Sequence, residues 1–196
     1  MKTKLLCTAT ITILLLVATN VSAEQSEVFI IKVADAISPG TADFIKTGIE
    51  TAEEKDATVI IIELDTPGGL AESMRLIVQN ILGSKVPVVV FVAPSGARAA
   101  SAGVMITMAA DVAAMAPGTN IGAAHPVGAG GKEIDGTMSE KIINDMVAQA
   151  KSVAEQRGRN AQWVEAAIRE SVSVTETEAL KENIIDLIAQ DTDDLI

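Results

Sequence analysis

The sequence of 196 residues contains no tyrosine, one tryptophan, three phenylalanines, one cysteine and one histidine. A single histidine, His125, excludes a multi-histidine zinc centre. The only cysteine, Cys7, lies in an apolar segment at the N-terminus. The rest of the chain therefore has no disulfide, no thiol nucleophile and no thiolate metal site. Basic side chains are also few. After residue 23 there are 13 lysines and arginines against 26 acidic residues, a formal charge of −13. Such a surface repels phosphate backbones, so no nucleic acid is expected as a partner, and binding to anionic lipid is disfavoured. The bias also serves plain solubility.

Lys2 and Lys4 precede the apolar run LLCTATITILLLVA, which is followed by Val21-Ser22-Ala23. A basic start, a short apolar stretch and small residues before Glu24 have the form of a secretory signal peptide over residues 1–23. The alternative is an uncleaved N-terminal anchor, although the run falls short of the ~20 apolar residues that a membrane span needs. Residues 24–196 then form one exported domain, and no later stretch is apolar enough to cross a bilayer.

Along that domain strand and helix patterns alternate. VFIIKV (28–33), TVIIIEL (58–64) and residues 86–93 read as strands, apolar almost throughout, as in a buried parallel sheet. Residues 40–55 and 70–82 read as amphipathic helices. A segment of small residues (96–103) leads into an apolar helix ending near Ala110, and 112–115 is a short strand. Residues 126–136 (PVGAGGKEIDG) read as a mobile loop. A long helix follows over about 138–157, with Thr137 and Glu140 as a capping-box pattern. Helices near 161–169 and 175–182 and a strand at 184–188 complete the chain. The fold class expected is α/β with a mainly parallel β-sheet, possessing a strand–strand–helix rhythm.

Three features carry the chemistry. Ser101, in Ala99-Ala100-Ser101-Ala102-Gly103, follows a buried strand where a helix begins. Free N–H groups and the helix dipole there favour developing negative charge. A plain N-cap serine would occupy the same place. Asp65-Thr66-Pro67-Gly68-Gly69 ends a strand, and paired glycines let a ligand approach backbone N–H groups. An ordinary strand-to-helix turn reads the same way. No phosphate-loop motif is present. Lys141 stands 40 residues after Ser101, beside the apolar stripe Ile142, Ile143, Met146 and Val147. A lysine acting as base near neutrality must lose its charge, at about 4 kcal/mol relative to a free lysine, and burial beside an apolar wall is the available means. A solvated surface lysine is the ordinary alternative.

The ordered motifs DTPGGL, ARAASAG and MAPGTNIGAAHPVG resemble the N-terminal peptidase domain of the NfeD family, membrane-associated serine proteases of the ClpP and signal-peptide-peptidase-A group. The resemblance spans about residues 28–190 and implies the ClpP/crotonase-like fold with repeated ββα units and a Ser–Lys dyad. The family's nucleophile lies in its SAG motif, matched by Ser101-Ala102-Gly103. Its lysine opens the helix that ends in a KS pair, matched by Lys141 ahead of Lys151-Ser152. The oxyanion donors then fall on the N–H groups of Gly69 and Ala102. No metal or cofactor is implied. The substrates implied are apolar segments of membrane-associated proteins, such as stomatin-like partners, and self-association is expected. Longer family members continue into membrane helices and a small β-barrel, so two alternatives are expected for this sequence. It is a fragment of a longer protein or a short secreted form.

His125, 24 residues after Ser101, has a spacing similar to the Ser–His pair of ClpP, and so is an alternative base. It could equally contact substrate or satisfy backbone groups. Arg98 and Ser95 are candidate cleft residues. Two further functions remain open on this fold: a crotonase-type acyl-CoA enzyme, and a module that grips apolar peptides without cutting them. With only Phe29, Phe44, Phe91 and Trp163 as aromatics, a cleft would bind substrate through aliphatic side chains and backbone pairing.

Overall fold

The computed structural model describes residues 27–128 and 136–196. The signal-like segment, including Cys7, and residues 129–135 of the Gly-rich stretch lie outside the described residues. Five strands form a wholly parallel sheet: β1 (Val28–Ala34), β2 (Val59–Asp65), β3 (Val88–Val92), β5 (Val112–Met115) and β8 (Leu187–Ile188), hydrogen-bonded in that order. Side chains alternate across it. Ile60, Ile62, Leu64, Val88, Val90 and Val92 pack into the main core, while Ile61, Val89 and Phe91 face a smaller apolar cluster on the other side. Both faces are covered, which is why these strands read as continuous apolar runs. Each fully buried Ile or Phe contributes roughly 1.5–3 kcal/mol.

The helices α1 (Pro39–Glu54), α2 (Ala71–Gly83) and α3 (Ala102–Ala109) bury apolar stripes, and α3 is buried on every side. The helix α4 (Gly136–Gln156) packs Val147, Ala150, Val153 and Ala154 inward, and α5 (Ala161–Arg169) packs Trp163, Val164, Ala167 and Ile168. Two short helices end the chain, α6 (Glu176–Lys181) and α7 (Thr192–Leu195). Two sequence expectations shift here. The helix α4 already begins at Gly136, so Thr137 sits inside the first turn and not at the cap. The reciprocal capping box occurs instead at Thr175 and Glu178, and hydrogen bonds from the Thr175 N–H and hydroxyl hold the Glu178 carboxyl below its usual range. The apolar stripe of α4 also runs further along than expected, leaving Ile142 37% exposed.

A second sheet was not legible in the sequence. Its strands β4 (Arg98–Ala100), β6 (Asn120–Gly122) and β7 (Ser173–Thr175) have three residues each, too few to show a period. Single bridges at Thr66–Ala99 and Ile37–Gly69 extend this ladder toward β1 and β2. The order β3–β4–α3 is repeated by β5–β6–α4, the first strand of each unit entering the large sheet and the second the small one. This is the repeated ββα unit.

The far end of α3 is closed by two arginines from the turn between α4 and α5. Arg159, 5% exposed, donates to the carbonyls of Met108 (3.1 Å) and Ala110 (2.7 Å) and pairs with Asp186. Arg157 donates to the Ala109 carbonyl at 2.8 Å and pairs with Asp111. Cations at a helix C-terminus also complement its dipole. Arg159→Ala leaves the buried Met108 and Ala110 carbonyls without their donor, while Asp186 keeps the Ala113 N–H and contact with water, so it is expected to lower unfolding free energy by about 1–3 kcal/mol. Urea unfolding monitored by circular dichroism measures this, and a change below about 1 kcal/mol refutes the role.

Candidate active site

The end of β2 and the start of α3 are locked together by Thr66, which is fully buried. Its N–H donates to the Arg98 carbonyl at 2.8 Å, its carbonyl accepts from Ala100 N–H at 3.1 Å, and its hydroxyl accepts from Gly68 N–H at 3.1 Å. One threonine thus fastens the DTPGG turn to the strand leading into Ser101. Gly103 is required by the same contact: a Cβ there would lie 2.8 Å from the Thr66 methyl and 3.3 Å from the Ala99 Cβ. Sequence reasoning passed over Thr66. Its only signal was its place between two motifs whose contact is tertiary.

Ser101 is the residue before α3 and has φ 52°, a left-handed value that disfavours a β-carbon. It is held there from both sides. Its N–H donates to the Gly122 carbonyl at 3.1 Å, and its carbonyl accepts from Val104 N–H at 3.0 Å. The side chain makes no capping hydrogen bond, so the simple N-cap role does not apply. Backbone strain of this sort costs about 1–3 kcal/mol and persists where the surroundings enforce it. Here it projects a hydroxyl with no partner among the described residues over Gly68, whose hypothetical Cβ would lie 3.1 Å from Ser101 Oγ.

The N–H of Gly69 faces the same space. In the bridge with Ile37, the Ile37 N–H donates to Gly68 O and the Leu70 N–H to Ile37 O, both at 2.8 Å. Alternation along an extended segment turns the Gly69 N–H the opposite way. Among the described residues it has no acceptor. Ala102 is the first residue of α3, so its N–H has no partner within the helix. The two donors expected from sequence therefore line one cavity with Ser101.

That cavity has a volume of about 370 Å³. Gly69, Leu70, Ala71 and Met74 form one wall, Pro126, Val127 and Gly128 another, and Met146 of α4 closes a side. Among the described residues no charged side chain lines it. Val127 and Leu70, 65% and 58% exposed, make an apolar rim. Of these, only Gly69 and Ser101 with Ala102 were singled out from sequence. Met146 belongs to the apolar stripe expected beside Lys141, and Met74, on the amphipathic helix expected over 70–82, is buried.

Lys141 departs from expectation. Its side chain is exposed and does not line the Ser101 cavity, so among the described residues no aliphatic wall shields it. Among the described residues it has no ion-pair partner. It lies on α4 one turn before Asp145, whose carboxylate meets Arg75 of α2 at 3.3 Å, next to Met74 of the cavity wall. Residues one turn apart share a helix face. His125 is half-buried, with Nδ1 2.9 Å from the Ile168 carbonyl. The carbonyl can only accept, so Nδ1 carries a proton, and in the neutral ring Nε2 is then the acceptor. Backbone satisfaction is thus part of its role. Arg98 donates its N–H to Asp65, and neither Arg98 nor Ser95 lines the cavity. Among the described residues no group of three or more metal-ligating side chains occurs, and no helix is long and apolar enough to cross a membrane.

Comparison with known proteins places this geometry. The model for the NfeD1b N-terminal domain matches residues 27–195. Membrane-bound protease PH1510 of Pyrococcus horikoshii is 43% identical over 172 residues, covering 86% of this chain and 38% of that protein. Membrane protein NfeD1b of Bacillus subtilis is 31% identical over 176 residues, covering 90% and 39%. The chain thus spans less than half the length of both relatives. A serine-to-alanine variant of the 1510-N membrane-bound stomatin-specific protease superposes with a TM-score of 0.81 at 42% identity, covering 87% of this chain and 83% of that one. ClpP1 of Listeria monocytogenes, at 20% identity and a TM-score of 0.69 over 85% and 94% of the two chains, shares the fold. The match runs from β1 through α7 and takes in the cavity around Ser101, and the chain belongs to the NfeD1b N-terminal domain family.

Proposed function

We propose that the chain is a serine endopeptidase that cleaves apolar segments through an acyl-enzyme. The observation carrying this is the Ser101 hydroxyl, held at positive φ beside the N–H groups of Gly69 and Ala102, all three without a hydrogen-bond partner among the described residues. Ser101 Oγ attacks the peptide carbonyl while a base takes its proton. The carbonyl oxygen becomes an oxyanion between the two N–H groups. The base returns the proton to the leaving amine, and water then releases the acyl group by the reverse sequence.

Lys141 is the base in this reading. Both a serine-to-alanine and a lysine-to-alanine variant of the 1510-N protease have been solved, the latter with a substrate peptide. The replaced residues are separated by one position more than Ser101 and Lys141 are. Lys141 is exposed among the described residues, and in this reading the bound substrate supplies the apolar cover that lets the amine lose its charge. The rim of Leu70, Val127 and Met146 fits an aliphatic segment that would do so. Stomatin-like membrane proteins are the substrates this reading favours, since the relatives' names pair a membrane protease with stomatin. Export of the domain and self-association belong to the same proposal.

A Ser101–His125 pair is the second reading, favoured by the Ile168 contact that leaves Nε2 as acceptor. The test is labelling by a serine-directed acylating probe, with digestion of an apolar peptide by wild type, Lys141→Ala and His125→Ala. Lys141→Ala is expected to lower kcat by roughly 10²–10⁴, with His125→Ala within about tenfold of wild type. The opposite pattern transfers the role to His125. Peptide bound but uncut by every form, with no labelling, refutes the peptidase.

A further inference from the structure

A second concavity, of about 480 Å³, lies between α1 and α2. It is separate from the Ser101 cavity except at Leu70, which lines both. The helix α2 divides its faces between them. Ala71 and Met74 turn to Ser101, whereas Glu72 and Leu76 turn to the groove, opposite Ala42, Asp43 and Lys46 of α1. Leu70 is 58% exposed and Leu76 45%, an uncovered aliphatic pair continuous with the rim of the cleft. From Leu70 to the far end of the groove at Asn80 is ten helical steps, about 15 Å. An extended peptide covers that length with about four or five residues.

Charge selects among occupants. Lys46 is paired with Glu50 at 3.6 Å, whereas Asp43 and Glu72 have no basic partner among the described residues. The groove therefore joins an aliphatic floor to an acidic lip. We infer that it is an exosite for the substrate chain itself. It takes a flank of four or five residues on one side of the scissile bond, with an aliphatic side chain against Leu70 and Leu76 and a lysine or arginine beside Asp43 and Glu72. This rests on the peptidase reading for its purpose. The groove's affinity for peptide does not depend on it.

The test uses one apolar core peptide, alone and extended at either end by Leu-Lys-Leu-Lys. Binding is measured by fluorescence anisotropy on Ser101→Ala, which requires no turnover, and kcat/KM on wild type. One of the two extensions is expected to tighten binding about tenfold, the worth of one aliphatic contact. In Leu76→Glu and Asp43→Lys that gain disappears while the core peptide is bound and cut as before. High salt is expected to weaken only the extended peptide in the wild-type background. Equal affinity for core and extended peptides overturns the inference. So does an equal loss for both in the groove variants, or a changed oligomer mass in Leu76→Glu, which would assign the groove to contact between copies. If wild type cuts neither peptide while the extension still binds through the groove, the exosite stands and the catalytic reading fails.

Discussion

Ser101→Ala is expected to reduce kcat for an apolar peptide by about 10⁴-fold or more while leaving peptide binding nearly unchanged. Removing a nucleophile that acts as a unit with its base eliminates the covalent path, leaving only orientation and the oxyanion donors. The substitution removes one oxygen from a side chain that makes no capping hydrogen bond, so the fold is not at stake. It relieves none of the backbone strain, because alanine retains the Cβ at φ 52°. Peptide digestion followed by chromatography measures the rate, and intact-mass spectrometry shows whether an acyl adduct forms on wild type alone. Cleavage by Ser101→Ala within tenfold of wild type would remove the hydroxyl from the mechanism.

Gly69→Ala should produce the next largest effect, and for a different reason. A β-carbon at this position would lie 2.1 Å from the Ile37 carbonyl oxygen and 2.6 Å from its nitrogen, both backbone atoms. No side chain can turn aside to make room. The Ile37–Gly69 bridge must open, and with it the orientation of the Gly69 N–H toward Ser101. Loss of one oxyanion donor costs roughly 10²–10³ in kcat, and the urea midpoint should fall as the bridge is broken. Gly83→Ala is the control: no atom lies within 4 Å of its hypothetical Cβ, so rate and stability should stay near those of wild type. Wild-type kcat in Gly69→Ala would show that the donor is elsewhere.

The two variants probe different levels of the same design. Ser101 supplies an atom, whereas Gly69 supplies a direction to a backbone group. The direction depends on Ile37, Thr66 and Ala99, which lie in three separate stretches of the chain and meet through single bridges of the small sheet. Lys141 belongs to neither level in the free chain. The helix carrying it is placed across from α2, as the Arg75–Asp145 pair records, but its amine remains in water. A base that loses its charge only under a bound apolar segment would couple proton removal to the presence of substrate.

How much of this was legible beforehand follows from the range of the forces. Four of the five parallel strands and the main helices were readable because burial of both sheet faces and one helix face imprints a pattern on neighbouring residues, whereas the strand expected at 184–188 pairs only over Leu187–Ile188. The glycines and Ser101 were readable as motifs, since a turn with free N–H groups requires small residues in sequence. The strands β4, β6 and β7 were not, because three-residue pairings are decided by distant backbone partners and leave no period. Burial of Lys141 was inferred from the apolar residues beside it, but adjacency on a helix does not fix which side meets the core, and α4 turns Val147 and Ala150 inward instead.

By itself, the sequence determined the parallel α/β core, the acidic surface and the absence of thiol or multi-histidine chemistry beyond residue 23. Composition and local periodicity suffice for those. Only the tertiary structure decided that Thr66 ties the glycine turn to the serine strand, that the Ser101 hydroxyl makes no capping hydrogen bond, and that Lys141 is not among the described residues lining the cavity. Each depends on contacts between segments far apart in the chain, where the close approach of backbones, and not any local preference, sets the geometry.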